Sequence, residues 1–195
     1  AQAPALREFG SRVRASRVEH VVSLAMGGSA LAPEVFRATW GSAPGYPAFT
    51  LLDSTVPGRV QAVTQSIEPT RTLFIVASKS GSTIEVHSLY RYFRHLLDRC
   101  LGRHEASAHF VAITDQGTPL AEMARKESFL RVFLNPFDVG GRFSGLSLFG
   151  LVPAALMGVD LDRFLGSIET MRQRCGPSVT PQSNPGAWLG AVMGS

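Results

Sequence analysis

The chain has 195 residues, 45% of them hydrophobic and 17% charged, with a formal net charge of +4. That mixture can bury a sizeable core and excludes a disordered chain. No apolar run is long enough to cross a bilayer, and no basic block is interleaved with aromatics, so neither a membrane nor a nucleic acid is expected as partner.

Residues 4–19 read as an Arg-rich amphipathic helix with Leu6, Phe9 and Val13 near one face. A buried-strand pattern follows at 21–26, Gly27-Gly28-Ser29 makes a turn, and a helix is predicted over 31–39. The next apolar run, Phe49 to Leu52, ends at Asp53. A helix over 57–66 carries Pro57 at its start, where a missing N–H does no harm. Residues 72–77 are the most strand-like run in the chain and lead into a helix over 83–101. A fourth strand at 110–113, a helix over 118–128 and a fifth strand at 131–134 follow. Helices are then predicted over 145–157, over 160–174 and from 184 onward, and the Pro/Ser/Thr-rich segment 176–186 reads as a loop rather than a domain linker.

Strand and helix alternate five times, and the strands are continuous apolar runs rather than in–out alternations. That combination predicts an α/β fold, a three-layer αβα sandwich around a five-stranded parallel sheet of flavodoxin-like or Rossmann-like type. One domain over 1–195 is expected, with an N-terminal helix (1–20), a parallel-sheet core (21–135) and C-terminal helices (136–195). Sheets of this kind bind ligands at the carboxyl ends of their strands, so chemistry is to be sought in the loops after strands one, three and five.

Cys100 and Cys175 lie far apart with no CxxC or histidine partner nearby, as expected of ordinary thiols in a reducing, cytoplasmic compartment. The five histidines show no metal-ligand spacing, and neither a metal nor a cofactor is expected. Nearly all the positive charge is arginine, Lys79 and Lys126 being the only lysines, and a basic balance favours an anionic small ligand through weak steering.

The first loop offers Gly28, where a backbone can approach a ligand closely, and Ser29, a hydroxyl near a helix N-terminus. Taken alone it also reads as a tight βα turn with a capping serine, and with Asp53 it keeps a dinucleotide-binding dehydrogenase in view, although the run GGSALA is not GxGxxG. The second loop, Ser78-Lys79-Ser80-Gly81-Ser82-Thr83, gathers four hydroxyls, one ammonium and a flexible glycine at a helix N-terminus. Such a set suits a phosphate dianion, and an N-capping turn is the plainer alternative. The third loop, 135–144, places two glycines before Arg142, which could stabilise an oxyanion or enediolate as charge develops or could be a surface arginine on a turn. The loop 114–119 reads as turn chemistry ending in a helix start.

Together the stretches MGGSALAPEVF (26–36), LLDSTVP (51–57), FIVASKSGSTIE (74–85), FVAITDQGTPL (110–120) and VGGRFSGLSLFGLVPAALMGVD (139–160) resemble, in order, the glucose-6-phosphate isomerase family, most closely the isomerase part of bacterial transaldolase–isomerase fusions. The resemblance implies a sugar-isomerase (SIS) domain that takes glucose 6-phosphate and fructose 6-phosphate, interconverted through a cis-enediolate. It implies that Ser78, Ser80 and Thr83 hold the phosphate, with Lys79 in the same loop and Ser29 lining the pocket, and that Arg142 stabilises the enediolate. Ser82 and Phe143 stand where the family often has Thr and Tyr. The family's proton-shuttling Glu, ring-opening His and late Lys have no counterpart in these residues. The absence of an initiator Met fits an excised or processed piece, expected to bind sugar phosphates without isomerising them. A homodimer is expected of the full-length enzyme. A non-catalytic phosphosugar sensor is the alternative the resemblance leaves open.

Overall fold

The computed structural model describes residues 2–195; Ala1, which opens the expected N-terminal segment 1–20, lies outside the described residues. Contacts divide the chain, expected as one domain, into two compact units that part between Val159 and Asp160.

The first unit carries five strands, β1 (His20–Ala25), β2 (Ala48–Leu52), β3 (Thr72–Ala77), β4 (Phe110–Asp115) and β5 (Arg131–Asn135). All neighbours pair in parallel, in the order β2-β1-β3-β4-β5. After β1 the chain moves outward to β2, then returns to lay β3 on the other side of β1. The topological switch point therefore falls between the carboxyl ends of β1 and β3. The register of that central pair runs from His20 opposite Thr72 to Ala25 opposite Ala77, so the two strands end level and deliver their loops to the same crevice.

Seven helices cover this sheet: α1 (Ala3–Ala15), α2 (Gly28–Trp40), α3 (Pro57–Ser66), α4 (Ile84–Leu101), α5 (Arg103–Ser107), α6 (Pro119–Lys126) and α7 (Leu148–Leu156). In α4 the buried residues Val86, Leu89, Tyr90, Phe93 and Leu97 recur at helical spacing and form one stripe. That stripe packs with Val22, Leu24, Phe74, Val76 and Phe110 of the sheet and with Leu120 and Ala124 of α6. Phe74 meets Phe93 at 4.7 Å between ring centroids and Phe110 at 5.4 Å, while Tyr90 stands edge-on to Phe110 at 5.0 Å. On the other face Phe9 of α1 lies edge-on to Phe133 of β5 at 5.2 Å. There α1 also crosses α7 closely: a Cβ on Gly10 would stand 2.5 Å from the Ala155 carbonyl oxygen.

The second unit contains α8 (Leu161–Arg174), a 3-10 turn at Pro181–Ser183 and α9 (Pro185–Gly194). Asp160 Oδ1 caps α8 by accepting from the Asp162 and Arg163 amides, and Asn184 Oδ1 caps α9 in the same way. No helix among the described residues is long and apolar enough to cross a membrane.

Candidate functional site

At the end of β1 the chain turns through Gly27, at φ +54°, and enters α2 at Gly28, three residues before the predicted start. Ser29 thus lies in the first turn of α2 and is 8% exposed. At the end of β3, Ser78 is 2% exposed and its Oγ accepts from the Gly81 amide at 3.1 Å. The same Oγ lies 2.8 Å from Thr83 Oγ1. Ser80 and Ser82 are exposed; Ser80 Oγ accepts from the Ser82 amide at 3.3 Å and from the Ser82 hydroxyl at 3.1 Å. Gly81 holds φ +66° against the side chain of Thr118, where a Cβ would meet Thr118 Cβ at 2.6 Å. Only glycine suits both constraints there.

Hydrogen bonding at the helix starts differs along the chain. The N-cap side chains of α6, α7, α8 and α9 each accept an N–H of their own first turn. No such cap is made at α1, α2, α3, α4 or α5, and of these only α4 has a hydroxyl residue, Thr83, at the N-cap position. Its hydroxyl turns back to Ser78 instead. The first amides of α4, and the positive end of its dipole, are left for another acceptor. Glu85, in that first turn, is exposed and makes no hydrogen bond among the described residues.

Lys79 does not extend into this cradle. Its ammonium donates to the Asp115 carboxylate at the end of β4 and to the Phe137 carbonyl, 2.7 Å away, in the loop after β5. Asn135, buried at the end of β5, donates from Nδ2 to Asp115 Oδ1 at 3.5 Å and accepts at Oδ1 from the Leu148 amide at 3.1 Å. Lys79, Asp115 and Asn135 therefore tie together the ends of β3, β4 and β5 and the start of α7.

Beyond β5 the chain forms a 3-10 turn, Gly141–Leu146, that reaches back across the sheet to the loop after β1. A Cβ on Gly28 would lie 2.6 Å from Gly141 Cα and 2.8 Å from its carbonyl carbon, so the two backbones touch where neither residue carries a side chain. Ser144 Oγ donates to the Gly28 carbonyl at 3.2 Å and secures the contact. Arg142, next to Gly141, is exposed and has no partner among the described residues. The structure thus joins the loops carrying Gly28, Ser29 and Arg142 by direct contact, and places Ser78, Ser80 and Thr83 in the loop that follows β3, the strand adjacent to β1. Sequence reasoning assigned Asp115 to a turn and passed over Asn135 as a tie. Their signal is positional: they face each other in the β4–β5 register at the carboxyl edge of the sheet.

No group of His, Cys, Asp or Glu among the described residues could hold a metal ion. The hydroxyl cluster at a helix start and the switch-point topology define the class: a doubly wound α/β domain with its crevice at the carboxyl ends of β1 and β3. The sugar isomerase domain of an RpiR transcription factor from Sphaerobacter thermophilus shares the fold, with a TM-score of 0.51 at 18% identity over 87% of this chain and 85% of that one.

The chain belongs to the phosphoglucose isomerase family, whose sequence model matches residues 7–185. Among its relatives, the glucose-6-phosphate isomerase of Citrifermentans bemidjiense is 33% identical over 189 residues, which cover 91% of this chain and 34% of that protein. The crystal structure of a glucose-6-phosphate isomerase from Chlamydia trachomatis matches with a TM-score of 0.74 at 29% identity, over 89% of this chain and 33% of that chain. The chain spans about a third of the length of the curated relatives it matches.

Proposed function

We propose that these residues form the phosphosugar-binding part of a glucose-6-phosphate isomerase, taking glucose 6-phosphate and fructose 6-phosphate by their phosphate group. The observation that carries this is the start of α4, where Thr83 occupies the N-cap position yet caps nothing and the hydroxyls of Ser78, Ser80 and Ser82 stand in the loop just before it. A dianion there accepts from backbone amides and hydroxyls and lies at the positive end of the helix dipole. When Ser78 donates to Thr83, the hydrogen of Thr83 is free to point at the phosphate, so the buried serine aims its half-buried partner. Ser80 is aimed likewise, because it accepts from the Ser82 hydroxyl and keeps its own hydrogen. Ser29 adds a hydroxyl from the facing loop. Lys79 contributes charge at one remove, its ammonium being shared between Asp115 and Phe137.

In this reading Arg142 faces the C1–C2 end of the sugar and offsets the negative charge that develops as the cis-enediolate forms. Isomerisation also needs a base to remove the C2 proton. Asp115, at the carboxyl edge, is committed to Lys79 and Asn135. The 195 residues alone are therefore expected to bind without turnover, and the full-length enzyme to act as a homodimer.

Calorimetric titration with glucose 6-phosphate tests the assignment. Charge-assisted hydrogen bonds contribute about 1.5–3 kcal/mol each, so Thr83→Ala or Ser80→Ala should weaken binding about ten-fold or more. Unchanged affinity in both variants, or fructose 6-phosphate turnover by the chain alone, would contradict it.

A further inference from the structure

Below the loop 78–83, α4, α5 and α6 frame a groove of about 740 Å³ on the first unit. It starts at His87, whose Nε2 pairs with the Gly81 carbonyl at 2.8 Å, and runs along α4 as far as Asp98. Its floor is a closed polar network. Arg94 donates to Asp98 (2.7 Å), to Ser107 Oγ (2.9 Å) and to the Arg103 carbonyl (2.6 Å). Glu127 accepts from the Tyr90 hydroxyl and lies 3.5 Å from Arg94. The two carboxylates that line the groove are thus already engaged.

The cations on its rim are not. Some exposed arginines outside the groove pair with acids, as in Arg37–Glu34, Arg71–Glu19 and Arg172–Glu169, and others, Arg142 among them, do not. Arg91 from α4, Arg103 from α5 and Lys126 from α6 all line the groove, and none of these side-chain charges has a partner among the described residues. Along α4, His87, Arg91 and His95 recur at steps of four and so share one face of the helix.

We propose that this groove is a second anion site, and that it takes a linear oligophosphate. Three helices each contribute an unpaired permanent cation around one concavity. That suits a multivalent anion spanning several charges better than a single phosphate. Tyr90 in the lining is 3% exposed, with its edge on Phe110 and its hydroxyl on Glu127, and the other rings there are the imidazoles of His87, His95 and His104. No phenyl, phenol or indole face is open for a base to stack on, and the rim presents three permanent cations, which favours a bare phosphate chain over a nucleotide or a single-stranded nucleic acid. The proposal does not rest on the sugar-phosphate reading, because none of the residues of loop 78–83 lines the groove.

The test is calorimetric titration of the 195-residue chain with sodium tripolyphosphate at low salt. Saturable one-to-one binding is expected. It should persist in saturating glucose 6-phosphate and in Thr83→Ala, and weaken at least ten-fold in the double variant Arg91→Glu, Lys126→Glu. Should that variant melt early by circular dichroism, Arg91→Gln with Lys126→Gln is expected to weaken binding at least three-fold. The proposal is overturned by an absence of saturation, by full affinity in the rim variants, or by displacement with glucose 6-phosphate. Tighter, rim-dependent binding of a single-stranded oligonucleotide would also overturn it. Failure of glucose 6-phosphate to bind would count against the phosphosugar site alone.

Discussion

Replacing Gly28 with alanine probes the contact that brings Arg142 to the switch point. The added Cβ would lie 2.6 Å from Gly141 Cα and 2.8 Å from the Gly141 carbonyl carbon. Carbon atoms at rest sit about 3.5–4.0 Å apart, so one loop must retreat by about 1 Å. Both sides of the contact are backbone, and no side chain can swing aside to absorb the overlap. Overpacking of this kind costs about 1–3 kcal/mol in stability. A retreat of about 1 Å also takes Arg142 out of reach of a ligand anchored at Ser78–Thr83, and displacements of that size cost up to about 100-fold in catalytic geometry. For binding alone, losing one charged contact corresponds to about a ten-fold weaker affinity for glucose 6-phosphate. Calorimetry and thermal unfolding should be run beside Gly27→Ala, whose Cβ would meet nothing within 4 Å although its φ of +54° carries strain. Gly27→Ala is expected to lose stability while the loops stay in contact. Wild-type affinity in Gly28→Ala would refute the idea that this contact positions the arginine.

Three further outcomes follow from the same geometry. Asp115→Ala removes the carboxylate that holds Lys79, and because the Lys79 side chain is partly solvated the loss of stability should be modest, about 1 kcal/mol in urea denaturation, with weaker sugar-phosphate binding as the loop after β5 slackens. Phe93→Ala empties the centre of the aromatic cluster and should cost about 3–5 kcal/mol or prevent folding, as read by circular dichroism. Burial, then the hydrogen bond to Glu127 and its negative charge, push the Tyr90 phenol well above its ordinary range, with Arg94 opposing. A folded-state value raised above the unfolded one gives stability that is complete below about pH 10 and is lost as the pH climbs beyond it. Tyr90→Phe should flatten that alkaline loss in a series of thermal melts.

Much of the fold was legible because the sheet is buried on both faces. Continuous apolar runs at 72–77 and at 131–134 mark β3 and β5 to within a residue, and Pro57 marks the start of α3. Other features were hidden by short-range ambiguity. The five residues of α5 are too few to show a period. Gly27-Gly28-Ser29 reads as a turn, yet only Gly27 turns the chain, and Gly28 and Ser29 already belong to α2, which carries Pro33 in its second turn. The helix expected from 145 begins at Leu148, because Ser147 caps it and the chain before it winds as a 3-10 turn.

Within the site, the hydroxyl-rich loop could be recognised from composition alone. The Gly28–Gly141 contact could not, since it joins residues more than a hundred positions apart through backbone atoms that leave no mark on side-chain pattern. The same holds for Lys79. Its sequence neighbours suggest a phosphate ligand, while its actual partners, Asp115 and Phe137, arrive from two other strand ends. A dinucleotide reading of Gly27-Gly28 fails on similar grounds. The approach to the Gly28 backbone that a pyrophosphate needs is filled by Gly141.

The most direct measurement is a crystal structure of this chain soaked with glucose 6-phosphate. Phosphate density is expected at the start of α4, within hydrogen-bond distance of the first helical amides and the hydroxyls of Ser80 and Thr83, with the Arg142 guanidinium turned toward the sugar. Density for the sugar phosphate at any other place, with the α4 amides left to solvent, would contradict the assignment.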